Sequence, residues 1–85
     1  MFYTYIIESS ANQRWYIGHT RDIERRLVEH NSGQNKSTKA KGSWELIFLR
    51  GFENNLDANR FELKLKKLKN KKFIRTEYAE FFFYK

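Results

Sequence analysis

The chain contains no cysteine. That absence excludes a disulfide framework and any metal site built on thiolates, and it suits a reducing compartment. Long hydrophobic runs are missing as well. Nothing approaches the ~20 consecutive apolar residues that a membrane-spanning helix requires, and the N-terminus lacks the basic-then-apolar layout of a secretory signal. A cytoplasmic location without membrane attachment is therefore expected. Proline is absent too, which carries no implication for function. Acids are scarce relative to bases: 10 Asp and Glu face 17 Lys and Arg, a formal net charge of +7. So basic a balance favours an anionic partner, most often nucleic acid. The plainer alternative is a lysine-rich surface that only keeps the chain in solution.

What is present is a short chain rich in aromatic and basic residues. Its 85 residues suffice for one domain spanning 1–85, and no internal repeat is visible. A domain of this size buries a modest fraction of its surface, so aromatic residues, 18% of the chain, are an efficient way to fill its core. The bases are clustered. Residues 60–75 carry Arg60, Lys64, Lys66, Lys67, Lys69, Lys71, Lys72 and Arg75, with Glu62 as the only acid. Such a stripe is what a phosphate backbone would attract.

Aromatic and β-branched residues from Phe2 to Glu8 predict a strand, and Trp15 to Thr20 a second. The small polar residues between them predict an antiparallel hairpin. Period two places Tyr3, Tyr5 and Ile7 on one face, and Phe2, Thr4 and Ile6 on the other. Thr20 is expected to cap a helix that runs to about His30, where Asn31-Ser32-Gly33 ends it. A basic loop over 31–43 precedes a third strand, Trp44 to Phe52. Asn54 or Asn55 can cap a second helix through Leu68 or Lys69. Asn70 interrupts it, and residues 71–79 form a short further helix. The order is β-β-α-β-α-(α). The apolar end, Phe81 to Tyr84, is expected to pack on the sheet or on a second copy of the chain.

Two charged residues lie where the pattern calls for apolar ones. Ile23, Leu27 and His30 form the apolar stripe of the first helix, and Arg26 falls in the same sector. Its ordinary role would be to cover the core with its stem and keep its head wet; the functional alternative is an anionic ligand. On the second helix Ala58, Phe61, Leu65 and Leu68 make the stripe, and Glu62 projects beside Phe61 and Leu65. A glutamate there needs a partner: either a structural pair, with Arg26 or a lysine, or a divalent cation held by its oxygens. Tyr3, Tyr5 and Tyr16 are good strand residues, so each alone says little.

Taken together they say more. Tyr5 and Tyr16 are eleven positions apart, Arg26 follows after ten and Glu62 after thirty-six. Around them read Tyr3-Thr4-Tyr5, Tyr16-Ile17-Gly18, Asp22 to His30 and Ala58 to Lys66. This arrangement resembles the GIY-YIG nuclease domain over essentially the whole chain, and within it the small single-domain bacterial branch of the YhbQ-like or UPF0213 type. The resemblance implies an α/β (α+β) fold with a three-stranded antiparallel sheet flanked by helices. It also implies an endonuclease that hydrolyses phosphodiester bonds of DNA, leaving 5′-phosphate and 3′-hydroxyl ends, in repair or processing. The roles carry over residue by residue. Tyr5 and Tyr16 match the paired strand tyrosines, Arg26 the helix arginine, His30 a common histidine four residues on, and Asn31 the residue after it. His19 falls where a basic or polar group lies near the phosphate. Glu62 matches the metal ligand, for one Mg²⁺ or Mn²⁺. The first motif departs from the family at Tyr3 and Thr4, and the larger Tyr3 would narrow access. Where some members place a histidine, the 34–42 segment offers Lys36, Thr38, Lys39 and Lys41.

On this reading Tyr16 takes the proton from water, Tyr5 positions water or phosphate, and Arg26 binds the scissile phosphate. Lys36, Lys39, Lys41, Lys66, Lys67 and Lys69 contact the DNA backbone. Tyr5, Tyr16, Arg26 and Glu62 should converge on one concave face. Cutting would be structure-directed or weakly specific, since no appended recognition module is present, and a partner protein would supply targeting. The competing reading is an inactive nucleic-acid-binding module, monomeric or weakly dimeric through Phe81 to Tyr84.

Overall fold

The computed structural model describes residues 1–32 and 43–83. Strand β1 (Phe2–Ser9) lies between β2 (Trp15–Thr20) and β3 (Trp44–Phe52) in an antiparallel sheet of order β2-β1-β3. Helix α1 (Ile23–Asn31) joins β2 to β3. Helices α2 (Asn55–Leu68) and α3 (Lys71–Glu77) follow, and a 3₁₀ turn over Ala79–Phe81 leads into the end of the chain. The fold is α+β with the order β-β-α-β-α-α, as the sequence pattern predicts.

Alternation along β1 divides the core in two. On one face Tyr5, Ile7 and Trp44 pack with Tyr16, Ile23, Leu27, Leu46 and Leu49 under α1. On the other, Ile6, Ile47, Phe48, Phe61, Leu65, Ile74 and Phe82 pack under α2 and α3. The β1–β3 register shifts between Ile6, paired with Phe48, and Ile7, paired with Leu46. Ile47 is the extra residue of this bulge, so consecutive Ile47 and Phe48 both serve the α2 face. The chain end packs on its own sheet: Phe82 forms a bridge with Phe48 and is buried, while Phe83 is exposed.

The helices start where polar caps allow. Asp22 caps α1, its Oδ1 accepting from Arg25 N at 3.1 Å. This corrects the expectation of Thr20, which is still paired with Tyr3 in the sheet and cannot turn into a helix. Instead its hydroxyl accepts from Asp22 N at 3.1 Å, setting the turn that delivers Asp22. Asn54 caps α2 and Asn70 caps α3, each by a side-chain oxygen accepting from the N–H three residues on. Asn31 clamps the end of α1 to β3, donating to Trp44 O at 3.1 Å and accepting from Trp44 N at 2.6 Å. That clamp fixes its neighbour His30 against the sheet.

Candidate active site

Gly18 makes room for the centre of the site. It pairs with Tyr5 across the β1–β2 ladder, and the Tyr5 ring lies over it so closely that a Cβ at position 18 would fall 2.6 Å from the hydroxyl oxygen and 2.8 Å from Cζ. Only a residue without a side chain admits that approach. The Tyr5 side chain is 1% exposed, and its hydroxyl meets His30 Nε2 at 2.9 Å. Burial pushes the Tyr5 pKa well above the ordinary tyrosine value, and the charges of Tyr16 and Glu62 push the same way. The Arg26 guanidinium opposes them by its charge and by a hydrogen bond. His30 is shifted down, chiefly by burial and then by the Arg26 charge, with Glu29 opposing. Near neutral pH both groups are therefore uncharged. The set that follows has Arg26 donating to the Tyr5 oxygen, and Tyr5 donating to a His30 ring whose own proton sits on Nδ1.

Tyr16 completes this side. Its ring centroid is 4.7 Å from that of His30 and 6.4 Å from that of Tyr5, and it is half-buried where Tyr5 is sealed. Arg26 also keeps its Nε 3.4 Å from Glu29 Oε1, so the guanidinium borders Tyr5 on one side and an acid on the other. Tyr3 leans away: its Cε1 lies 3.5 Å from the position of a Cβ on Gly51, toward β3 and not toward the tyrosine of β2.

Glu62 and His19 lie across the strand. His19 is one residue past Gly18 and so faces α2, where its Nδ1 sits 2.5 Å from Glu62 Oε1. Lys66 Nζ donates to Glu62 Oε2, also at 2.5 Å. The buried carboxylate, 8% exposed, therefore meets a partner at each oxygen. These are a lysine and a histidine, not Arg26. The expected residues approach one strand from two faces: Tyr5, Tyr16, Arg26 and His30 from the α1 side, Glu62 and His19 from the α2 side. Gly18 lies between the groups, and the Glu62 charge is felt at Tyr5.

The basic stripe also divides. Lys66 and Lys69 border a cleft beside β2 with Lys71, whereas Lys67 lines a separate groove on the outer side of α2 with Arg60 and Lys64. Lys36, Lys39 and Lys41 lie outside the described residues. Three residues have supporting roles that the sequence reading does not assign. Thr4 donates from Oγ1 to Ala58 O at 2.7 Å, tying β1 to α2. Asn31 positions His30, and Gly18 makes room for Tyr5. The only prior signal for these was the family pattern itself, in which the glycine and the His-Asn pair recur.

Comparison with known proteins bears on the family and the fold. The family model described as the GIY-YIG catalytic domain matches residues 1–77. The chain is 35% identical over 71 residues to the UPF0213 protein BH0048 of Halalkalibacterium halodurans, covering 82% of this chain and 74% of that one. It is 38% identical over 69 residues to the UPF0213 protein YazA of Bacillus subtilis, covering 80% and 69%. The structure-specific endonuclease subunit slx1 of Xenopus laevis is 41% identical over 54 residues, 58% of this chain and 19% of that protein. The solution NMR structure of BH0048 superposes with a TM-score of 0.56 at 32% identity, covering 93% of this chain and 85% of that one.

Proposed function

Because the chain belongs to the GIY-YIG family, on its UPF0213 branch, we propose that it is an endonuclease that hydrolyses phosphodiester bonds of DNA with one bound Mg²⁺ or Mn²⁺. The observation that carries this reading is the partly exposed Arg26 guanidinium set against buried Tyr5 and His30, beside the half-buried Tyr16. Packing a partly exposed guanidinium against a neutral phenol and a neutral imidazole, which offer it no counter-charge, gives the fold little on balance. It does leave a fixed positive charge ready for an incoming phosphate.

The division of labour follows from burial. Tyr5 keeps its proton at neutral pH and is enclosed, so it serves as a fixed hydrogen-bonding group that holds Arg26 in place. Tyr16 is the tyrosine that water and phosphate can reach, and takes the proton from the attacking water. Arg26 binds the scissile phosphate and offsets the charge that develops on it.

A metal fits Glu62 on the chemistry of its oxygens. The carboxylate is buried and already attracts the Lys66 ammonium, so the position draws cations. One carboxylate with substrate phosphate and water is an ordinary Mg²⁺ environment. No group of three or more His, Cys, Asp or Glu is gathered among the described residues, so Glu62 would be the protein's one carboxylate ligand. When bound, the ion supplies Lewis-acid stabilisation of the phosphate oxygens.

The family match and the slx1 likeness support a DNA substrate. The cysteine-free composition supports a cytoplasmic setting, and no helix among the described residues is long and apolar enough to cross a membrane. One observation favours a second reading, a binding module without catalysis: His19 and Lys66 already engage both Glu62 oxygens, as a structural carboxylate would require. Incubation with plasmid and branched DNA, in Mg²⁺ or in EDTA, separates the two. Cleavage that needs Mg²⁺ and falls by ~10² or more in Glu62→Gln, with unchanged folding, supports the nuclease. A mobility shift without cleavage, or a Glu62→Gln protein that cuts at the wild-type rate, returns Glu62 to a structural role.

A further inference from the structure

Between β2 and the α2–α3 turn lies an open cleft of about 360 Å³. Trp15, Ile17 and Leu65 form its apolar part, Lys66, Lys69 and Lys71 stand around it, and no acidic residue is among its lining. Tyr16, the proposed base, also borders it. The volume is that of a small-molecule site, ~300–1,000 Å³, and too small for a duplex. Apolar and aromatic surface beneath a cationic rim is the combination that takes single-stranded nucleic acid, bases on the apolar part and phosphates on the rim.

The cleft is held in shape. Trp15 Nε1 donates to Glu8 Oε2 at 3.0 Å, which fixes the indole. Lys71 Nζ donates to Gln13 O at 2.7 Å and lies 5.1 Å from the centre of the Trp15 ring. Lys66 joins the cleft to Glu62.

Lys69 adds an independent observation. It ends α2 with φ 49° and ψ 22°, the left-handed conformation that helix ends normally give to glycine. A lysine is disfavoured there, and it makes no ion pair among the described residues. The turn thus keeps a cation at the cleft mouth against the conformational preference of its backbone. Such strain gathers where a ligand is bound.

Resting on the nuclease reading, we propose that this cleft binds one unpaired nucleotide of a DNA strand leaving a duplex, next to the phosphate presented to Tyr16 and Arg26. The preferred substrate class is then a duplex with a single-stranded branch or tail.

The test is fluorescence anisotropy in EDTA, where no cleavage intervenes. The probes are a blunt hairpin duplex, a hairpin with a single-stranded thymidine tail and the same total number of phosphates, and a third with an abasic tail of equal length. The thymidine tail is expected to bind about tenfold more tightly than the blunt hairpin, the scale of one stacked base, and the abasic tail to lose most of that advantage. Lys69→Gly should raise Tm, by relieving the left-handed lysine, yet weaken the thymidine-tailed probe several-fold more than the blunt one. Equal binding of tailed and blunt probes, an abasic tail that binds as well as thymidine, or a tail preference untouched by Lys69→Gly overturns the assignment. Cleavage in Mg²⁺ without tail preference would remove the cleft and leave the nuclease standing. Tail preference without cleavage would do the reverse.

Discussion

Replacing Gly18 by alanine places a methyl carbon 2.6 Å from the Tyr5 hydroxyl oxygen and 2.8 Å from Cζ, well inside van der Waals contact. A flexible side chain would move aside, but Tyr5 is not free to do so. Its ring is fully buried, flanked by Tyr16 and His30, and its hydroxyl is held by His30. Relief must come by lifting the ring off β2, which breaks that hydrogen bond, or by bending an edge strand. Overpacking of this kind costs about 1–3 kcal/mol, and the lost hydrogen bond about 0.5–1.5 kcal/mol. The expected loss is about 2–4 kcal/mol, a Tm lower by roughly 8–30 °C for a domain of this size. Urea unfolding followed by circular dichroism measures it, within a double-mutant cycle with Tyr5→Phe. Removing the hydroxyl takes away the closest contact, so the pair should lose at least ~1 kcal/mol less than the sum of the singles. A Gly18→Ala protein within ~0.5 kcal/mol of wild type, or strict additivity with Tyr5→Phe, would refute the claim that glycine is there to admit this ring.

Three further outcomes are expected. Arg26→Ala should lower single-turnover cleavage by ~10² or more while changing DNA affinity only modestly in anisotropy titrations, because many lysines share the binding charge. Stability should fall on acidification below about pH 6.5, where the unfolded chain takes a proton at His30 that the folded chain refuses, and again above about pH 10, where the unfolded chain releases the Tyr5 proton that the fold retains. Thermal melts across pH should show His30→Gln flattening the acid limb and Tyr5→Phe the alkaline limb. Thr4→Val, which removes the buried donor to Ala58 O at nearly constant volume, should cost about 1 kcal/mol in denaturant unfolding and leave the strand register intact.

Features set by local chemistry could be read before folding; those set by distant partners could not. The hairpin follows from period-two alternation, and the starts of α2 and α3 from Asn54 and Asn70. The start of α1 was ambiguous because Thr20 and Asp22 are both capping types two residues apart, and only the pairing of Thr20 with Tyr3 decides between them. The apolar run Leu46 to Leu49 has no period, so the bulge at Ile47 was invisible. The lysines of residues 60–75 look like one stripe on paper. Helical periodicity separates Lys66 and Lys69 from Lys64 and Lys67, which fall on different sides of α2. That Glu62 needed a partner could be read from its place beside Phe61 and Leu65. Its pairing with His19, across 43 residues, could not, because hairpin and helix must pack first.

The position of β2 at the sheet edge would let residues on opposite faces serve the one reaction proposed here. Tyr16 and His19 are three residues apart on a strand, so they must point to opposite faces. On a central strand they would be sealed under different helices. At an edge, α1 and α2 can both bring side chains toward the same border with solvent, and a phosphate arriving there can be met from both sides. Gly18, which shares the face of Tyr16, carries no side chain to fill that border, and Tyr5 reaches across from β1 into the space. The tyrosine, the glycine and the residue after it thus have separate tasks. One offers a reachable hydroxyl, one leaves room for the buried partner, and one turns toward the carboxylate of α2. The same logic places the lysine-rimmed cleft on this edge. It lies on the α2 side of the same strand and is bordered by Tyr16, so a strand bound in it would be held beside the water whose proton Tyr16 takes in the proposed reaction.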